Sequence, residues 1–233
     1  MKVVVLGASG ATGKLVVSQL VERNMQVRAL VRPTAQVDER LRDHALVELV
    51  SGLIDDYGEQ EIRDLIEGCD VVISCLGHTI SFKGMFGSPR KLVAHAVERV
   101  TSQLRSNQRF LLMSTTAYTN AKEQEKNSRG EALVFSLLKV LLPPHRDNML
   151  AADHLVHRIG ETQAFSWVAV RPDSLIDEEQ VTAYELCEHK KRSPLSDPGK
   201  ASRINVAHCM AELVRDEQLW EQWKFRTPVL YNL

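Results

Sequence analysis

The segment Val3-Val4-Val5-Leu6-Gly7-Ala8-Ser9-Gly10-Ala11-Thr12-Gly13-Lys14-Leu15 constrains the fold of this chain more than any other. A β-branched apolar run stops at a glycine, two more glycines follow at intervals of three, and helix-forming residues then begin. That order describes a buried strand opening through a tight turn into a helix. Leu15, Val16, Gln19, Leu20 and Arg23 continue the segment at helical spacing. Gly7 permits a sharp turn off the strand. Gly10 allows close approach of the backbone to a ligand, and Gly13 allows close packing of helix on sheet. Free N–H groups and the positive end of the helix dipole then suit a pyrophosphate. The expected dinucleotide cradle is Gly7, Ser9, Gly10, Ala11, Thr12 and Gly13. A nucleoside-triphosphate loop is the nearest rival, and two residues exclude it. Ala8 stands where its first glycine belongs, and Leu15 stands where its magnesium-binding hydroxyl belongs.

The rest of the chain repeats the alternation. Short Val/Leu/Ile-rich runs near 2–7, 26–32, 46–50, 70–76, 109–114 and 165–171 predict strands. Helical patterns lie near 12–24, 36–43, 58–67, 89–105, 128–142, 147–160 and 205–216. The expected architecture is an α/β fold, a doubly wound parallel sheet of the Rossmann type that binds NAD(P). A chain of 233 residues suits one such domain over 1–233, with a small excursion on the substrate side at about 172–203, irregular from about 177 and carrying Pro194 and Pro198.

The formal charge of −1 points to neither nucleic acid nor membrane as a partner. The first residues read as a strand, so no signal peptide is expected, and the apolar stretches are too short or too interrupted to span a bilayer. Cys69, Cys75, Cys187 and Cys209 form no Cys-x-x-Cys pair. The expected compartment is the cytoplasm.

Ligands in such sheets bind beyond the C-terminal strand ends. The second strand ends at Val31-Arg32, with no acid to accept from ribose hydroxyls. A guanidinium there can clamp a 2′-phosphate, so NADP(H) is the expected cofactor, with NAD(H) the alternative. Arg28 is a weaker candidate. After the third strand Leu53 occupies the usual place of an adenine-reading acid and Asp55 comes two later, so that contact is unassigned. Leu76 and Gly77 after the fourth strand, and Pro172 after the sixth, are placed against the cofactor. His78, Phe82, Met85 and Phe86 follow Gly77 in a glycine-containing apolar stretch suited to covering a flat substrate. Ser114, Thr115 and Thr116 end the fifth strand, where a hydroxyl can hold a carbonyl oxygen as charge develops. Tyr118 joins the expected substrate pocket.

Gly7 to Gly13, Leu30-Val31-Arg32, Ser114 to Tyr118 and Trp167 to Pro172 together resemble the atypical short-chain dehydrogenase/reductases. Within that group the chain is similar to the NmrA-like, NAD(P)H-binding branch that includes the flavin reductases. The resemblance covers most of the chain. It implies a Rossmann fold, NADP(H) binding and reduction of flavins or other planar acceptors. By position Thr116 matches the hydroxyl at the substrate in the flavin reductases. Ser202-Arg203-Ile204 resembles that branch's segment before its C-terminal helix.

The chain departs from the wider family at one place. Standard members carry Tyr-x-x-x-Lys after the fifth strand, the lysine lowering the tyrosine pKa for proton transfer. Here His145 and Met149 stand at those positions. A reductase that takes its proton from water needs no such pair. His145 can reach the pocket mouth, and the competing reading makes its surroundings a helix start capped by Asp147 or Asn148. A non-catalytic NADP(H) sensor acting through a protein partner is the alternative function. The helix at 128–142 is apolar nearly all round, so it packs in the core or against a second copy or another protein. Asp153, His154 and His157 lack a further metal ligand at useful spacing, so no metal site is expected. His189 to Arg192 reads as a solvated basic loop. Trp220, Trp223 and Phe225 are expected to pack the C-terminal segment onto the body.

Overall fold

The structure, a computed structural model, describes residues 1–78, 91–123, 125, 130, 134 and 143–233. Six strands fall where the apolar runs predict them: β1 (Lys2–Leu6), β2 (Gln26–Val31), β3 (Val47–Ser51), β4 (Val71–Ser74), β5 (Arg109–Met113) and β6 (Ser166–Pro172). Later come β7 (Ser174–Ile176), β8 (Tyr184–Cys187), β9 (Lys200–Ser202) and β10 (Val229–Asn232). Among the described residues the main sheet runs β3-β2-β1-β4-β5-β6-β10-β8. Its pairings are parallel except β10 with β8. β7 and β9 form a separate parallel pair. The chain moves outward from β1 in both directions, so the order reverses between β1 and β4, where a crevice opens at the strand ends.

Helices cover both faces: α1 (Gly13–Glu22), α2 (Glu39–Arg42), α3 (Glu59–Ile66), α4 (Leu92–Thr101), α5 (Pro143–Asp153), α6 (Arg203–Arg215) and α7 (Glu217–Trp223). Residues alternate across the sheet. Val3 and Val5 pack with Val16 and Leu20 of α1, Met210 of α6 and Trp220 of α7. Val4 and Leu6 face the opposite way, with Ile62 of α3, Val97 of α4 and Leu155 beyond α5. Each fully buried side chain of this kind contributes about 1.5–3 kcal/mol. Both faces being covered, the strands carry continuous apolar runs.

Several expectations need correction. The excursion is partly regular, since β8 and β9 lie inside it and β8 joins the main sheet through β10. The helix expected from 147 starts at Pro143, because proline lacks only an N–H that a first helical turn cannot bond internally. It passes into a π-helical stretch, His154–Ile159, and closes at Gly160, whose φ is +62°. The helix expected over 36–43 is only Glu39–Arg42, capped by the Asp38 side chain on the Arg40 N–H. The tryptophans near the C-terminus sit on α7, which periodicity did not suggest, and both are buried as expected. The helix expected over 128–142 lies outside the described residues apart from Gly130 and Val134, which are helical. No described helix is long and apolar enough to cross a membrane.

Candidate functional site

The turn from β1 into α1 is closed on itself. Gly10 N–H donates to the Gly7 carbonyl at 2.9 Å, and Lys14 N–H donates to Gly10 at 3.0 Å. Gly7 has φ +75°, and a Cβ there would lie 2.9 Å from the Cys75 carbonyl oxygen at the end of β4. A Cβ on Gly13 would sit 2.2 Å from the Gly7 carbonyl oxygen. The close approach expected at Gly13 is therefore to the turn's own backbone. Among the described residues the N–H groups of Ser9, Ala11 and Thr12 take no hydrogen-bond partner. Thr12 makes no side-chain cap, and no acid stands in the first turn of α1. An uncapped helix end with free donors and a Cβ-free cradle fits an anionic diphosphate.

The two arginines of β2 and its exit separate clearly. Arg28 donates to Glu48 at 3.0 Å and to the carbonyls of Asp64, Leu65 and Glu67, so it closes the C-terminal end of α3. Arg32 is exposed, and its guanidinium makes no hydrogen bond or ion pair among the described residues. Beyond β3, Leu53 is 44% exposed. Both Asp55 carboxylate oxygens are buried without a hydrogen-bond partner, 3.8 Å at nearest from His95 Nδ1, and burial pushes the Asp55 pKa up.

A cleft of about 430 Å³ opens past the ends of β4, β5 and β6. The structure brings Leu76, Gly77, Ser114, Thr115, Thr116 and Pro172 together there. Thr115 Oγ1 accepts from the Ala117 N–H at 3.2 Å, so it shapes the turn. Ser114 is anchored through its backbone N–H to the Val170 carbonyl at 2.7 Å, while its hydroxyl is buried without a partner. The Thr116 hydroxyl makes no hydrogen bond among the described residues.

Met113, Asn148, Asp173, Ser174, Leu175, Pro194 and Leu195 also line the cleft, and sequence reasoning missed them. Position after β6 could have flagged Asp173 and Ser174. Nothing local points to Leu195, which arrives from the excursion.

Tyr118 is not in the cleft. The turn after Thr115 carries its ring into the core beside Val97 and Leu155, and it is 3% exposed. His145 lies in the first turn of α5, and its side chain is outside the described residues, as are Phe82, Met85 and Phe86. His78 turns from the cleft toward α5, its Nε2 2.8 Å from Asp147 Oδ2. Among the described residues no group of metal ligands forms.

A buried ion pair braces β6 just before the cleft residues Pro172 and Asp173. Arg171, fully buried on β6, donates to the Thr227 carbonyl at 2.6 Å, the Tyr118 carbonyl at 3.0 Å and Glu125 Oε2 at 2.6 Å. Glu125 also accepts from the Asn120 and Lys190 N–H groups. Burial raises the Glu125 pKa, but the Arg171 guanidinium and these N–H groups outweigh it and hold the carboxyl below its usual range. Asp173 accepts from the Ser174 and Gly199 N–H groups, tying the end of β6 to the start of β9.

Residues 7–217 match the model of the NAD(P)H-binding family. No curated protein sequence matches the chain. Solved structures of similar fold include a candidate NADH-flavin reductase from Streptococcus pneumoniae, at 18% identity and TM-score 0.69 over all of both chains. A short-chain dehydrogenase/reductase from Veillonella parvula in complex with NADP has 14% identity and TM-score 0.70, over 99% of this chain and 94% of that one. An oxidoreductase from Lactococcus lactis has 18% identity and TM-score 0.67, over 100% and 91%. At these identities the likeness is one of fold.

Proposed function

The chain belongs to the NAD(P)H-binding family, and from that premise we propose that it is an NADPH-dependent reductase of a small planar acceptor, such as a flavin or quinone. The observation that carries the reading is the cleft itself. It places the Ser114 and Thr116 hydroxyls among the apolar side chains of Leu76, Met113, Leu175 and Leu195, at the strand ends next to the glycine cradle.

The N–H groups of Ser9, Ala11 and Thr12 and the start of α1 bind the diphosphate. Arg32 binds the 2′-phosphate with its unengaged guanidinium. When bound, the reduced nicotinamide supplies a hydride. Gly77 and Pro172 flank it, with Leu76 against its edge. Thr116 and Ser114 orient a carbonyl oxygen of the acceptor and donate to it as negative charge develops. Leu175 and Leu195 cover the acceptor's flat face and exclude bulk water from it. Solvent at the cleft mouth provides the proton, so no Tyr-x-x-x-Lys pair is required. The candidate flavin reductase of similar fold and the Veillonella complex with NADP support this choice of acceptor and cofactor.

The test is NADPH oxidation in the presence of FMN, quinones and dicarbonyls. The reading expects oxidation above background with at least one of them. Tight NADPH binding without oxidation across the panel would instead favour a non-catalytic sensor that acts through a protein partner.

A further inference from the structure

Asp147 is 1% exposed, yet it carries a carboxylate. Three N–H donors meet it. Val93 N–H donates to Oδ2 at 2.7 Å, Ala94 N–H to Oδ1 at 3.0 Å, and His78 Nε2 lies 2.8 Å from Oδ2. One sequence reading has Asp147 or Asn148 cap its own helix; Asp147 caps α4 instead. A carboxylate only accepts, so the hydrogen of this bond sits on His78 Nε2. Removing a charge this deep from water is tolerated only with such donors. The exit of β4, the entrance of α4 and the second turn of α5 thus converge on one side chain.

The convergence lies beside the cleft. His78 follows Leu76 and Gly77, which line one edge, and Asn148, next to Asp147, lines another. A Cβ on Gly77 would meet nothing within 4 Å, so the residue faces open space on the side where a side chain would project. Glycine has the freest backbone of all residues, so a contact made by the next residue, His78, bears on where Gly77 lies.

We propose that His78 and Asp147 are positioning residues for the nicotinamide half of the cofactor. Their hydrogen bond pins the Gly77 backbone to α5 and so sets the width of the cleft where the nicotinamide ring enters. This rests on the cofactor reading above. The pair lies at the nicotinamide end only, because the adenine half is held at Arg32 and the α1 N-terminus.

Calorimetric titration of the full chain with NADP+ and NAD+, and with the adenine-half fragments 2′,5′-ADP and ADP, tests the proposal. His78→Leu should weaken binding of the preferred dinucleotide about tenfold while leaving its fragment within about twofold of wild type. His78→Gln, which keeps a side-chain N–H able to reach Asp147, should recover most of the loss. Asp147→Asn should show the same split between dinucleotide and fragment. Equal loss for dinucleotide and fragment, no loss for either, or no recovery in His78→Gln would overturn the proposal. Wild-type protein that binds neither dinucleotide would overturn the cofactor reading and this proposal with it. A His78→Leu chain that does not melt cooperatively would give a merely structural role to the pair, and so would also overturn the proposal unless His78→Gln and Asp147→Asn fold and show the split.

Discussion

Around Gly7 the protein shapes its surface with backbone, and around Arg171 it does so with side chains. The cradle between β1 and α1 depends on where Cβ atoms are missing, and its donors are main-chain N–H groups. The wall of the cleft at the end of β6 is held by a buried guanidinium that reaches the carbonyls of Thr227 and Tyr118 and the carboxylate of Glu125. The first arrangement is local apart from the close approach of Gly7 to the Cys75 carbonyl, and suits a ligand part that many proteins share. The second joins segments far apart in sequence, and it can change without disturbing the first. A fold that keeps its cofactor and varies its substrate needs such a division.

Glu125→Gln should break the side-chain half most severely. It leaves Arg171 buried and charged without its carboxylate, a loss of about 3–5 kcal/mol of stability by denaturant unfolding. The same pair sets an acid limit. The Glu125 pKa is lowered on folding, so its stabilisation is complete above the unfolded-state value of about 4.3 and disappears as pH falls through the folded value. Wild-type stability should therefore fall below about pH 4 more steeply than that of Glu125→Gln. Equal acid slopes would remove Glu125 from the account.

Gly13→Ala should break the backbone half. A methyl at 2.2 Å from the Gly7 carbonyl forces the turn open, and dinucleotide binding should weaken about 100-fold with the wall at the end of β6 intact. Retention of binding within a few-fold would mean that the cradle is not the diphosphate site. The smallest effect sharpens the comparison at a single charge. Arg32→Ala should weaken NADPH about tenfold and leave NADH nearly unchanged, read by titration of each. Equal weakening of both would assign Arg32 to a shared part of the cofactor.

The same division governs what the sequence makes legible. β1 to β6 announce themselves because each is an apolar run, and the glycines after Leu6, Ser51 and Leu76 mark strand exits. The cleft residues Ser114, Thr116, Gly77 and Pro172 follow from the rule that sites lie beyond strand ends. β8 is hidden because Tyr184 to Cys187 are paired with β10, more than forty residues downstream, and alternation is short and mixed there. Asp147 is hidden for a related reason. Capping preference points to its own helix, while its real partners are on α4 and at His78. Tyr118 misleads because adjacency to Thr116 suggests the pocket, whereas the intervening turn reverses its side chain into the core. Local chemistry is thus readable from the chain, and long-range convergence is not.

The central claim is that the Gly7–Gly13 turn wraps a diphosphate belonging to a nicotinamide dinucleotide. Thermal unfolding of the wild-type chain against increasing NADPH and NADH tests it most directly, since a ligand of the native state alone raises the melting temperature. The account predicts stabilisation that grows with the logarithm of NADPH concentration, reaching about 2.7 kcal/mol at 100 times Kd, with a smaller response to NADH. A melting temperature that does not move with either nucleotide at millimolar concentration would contradict it.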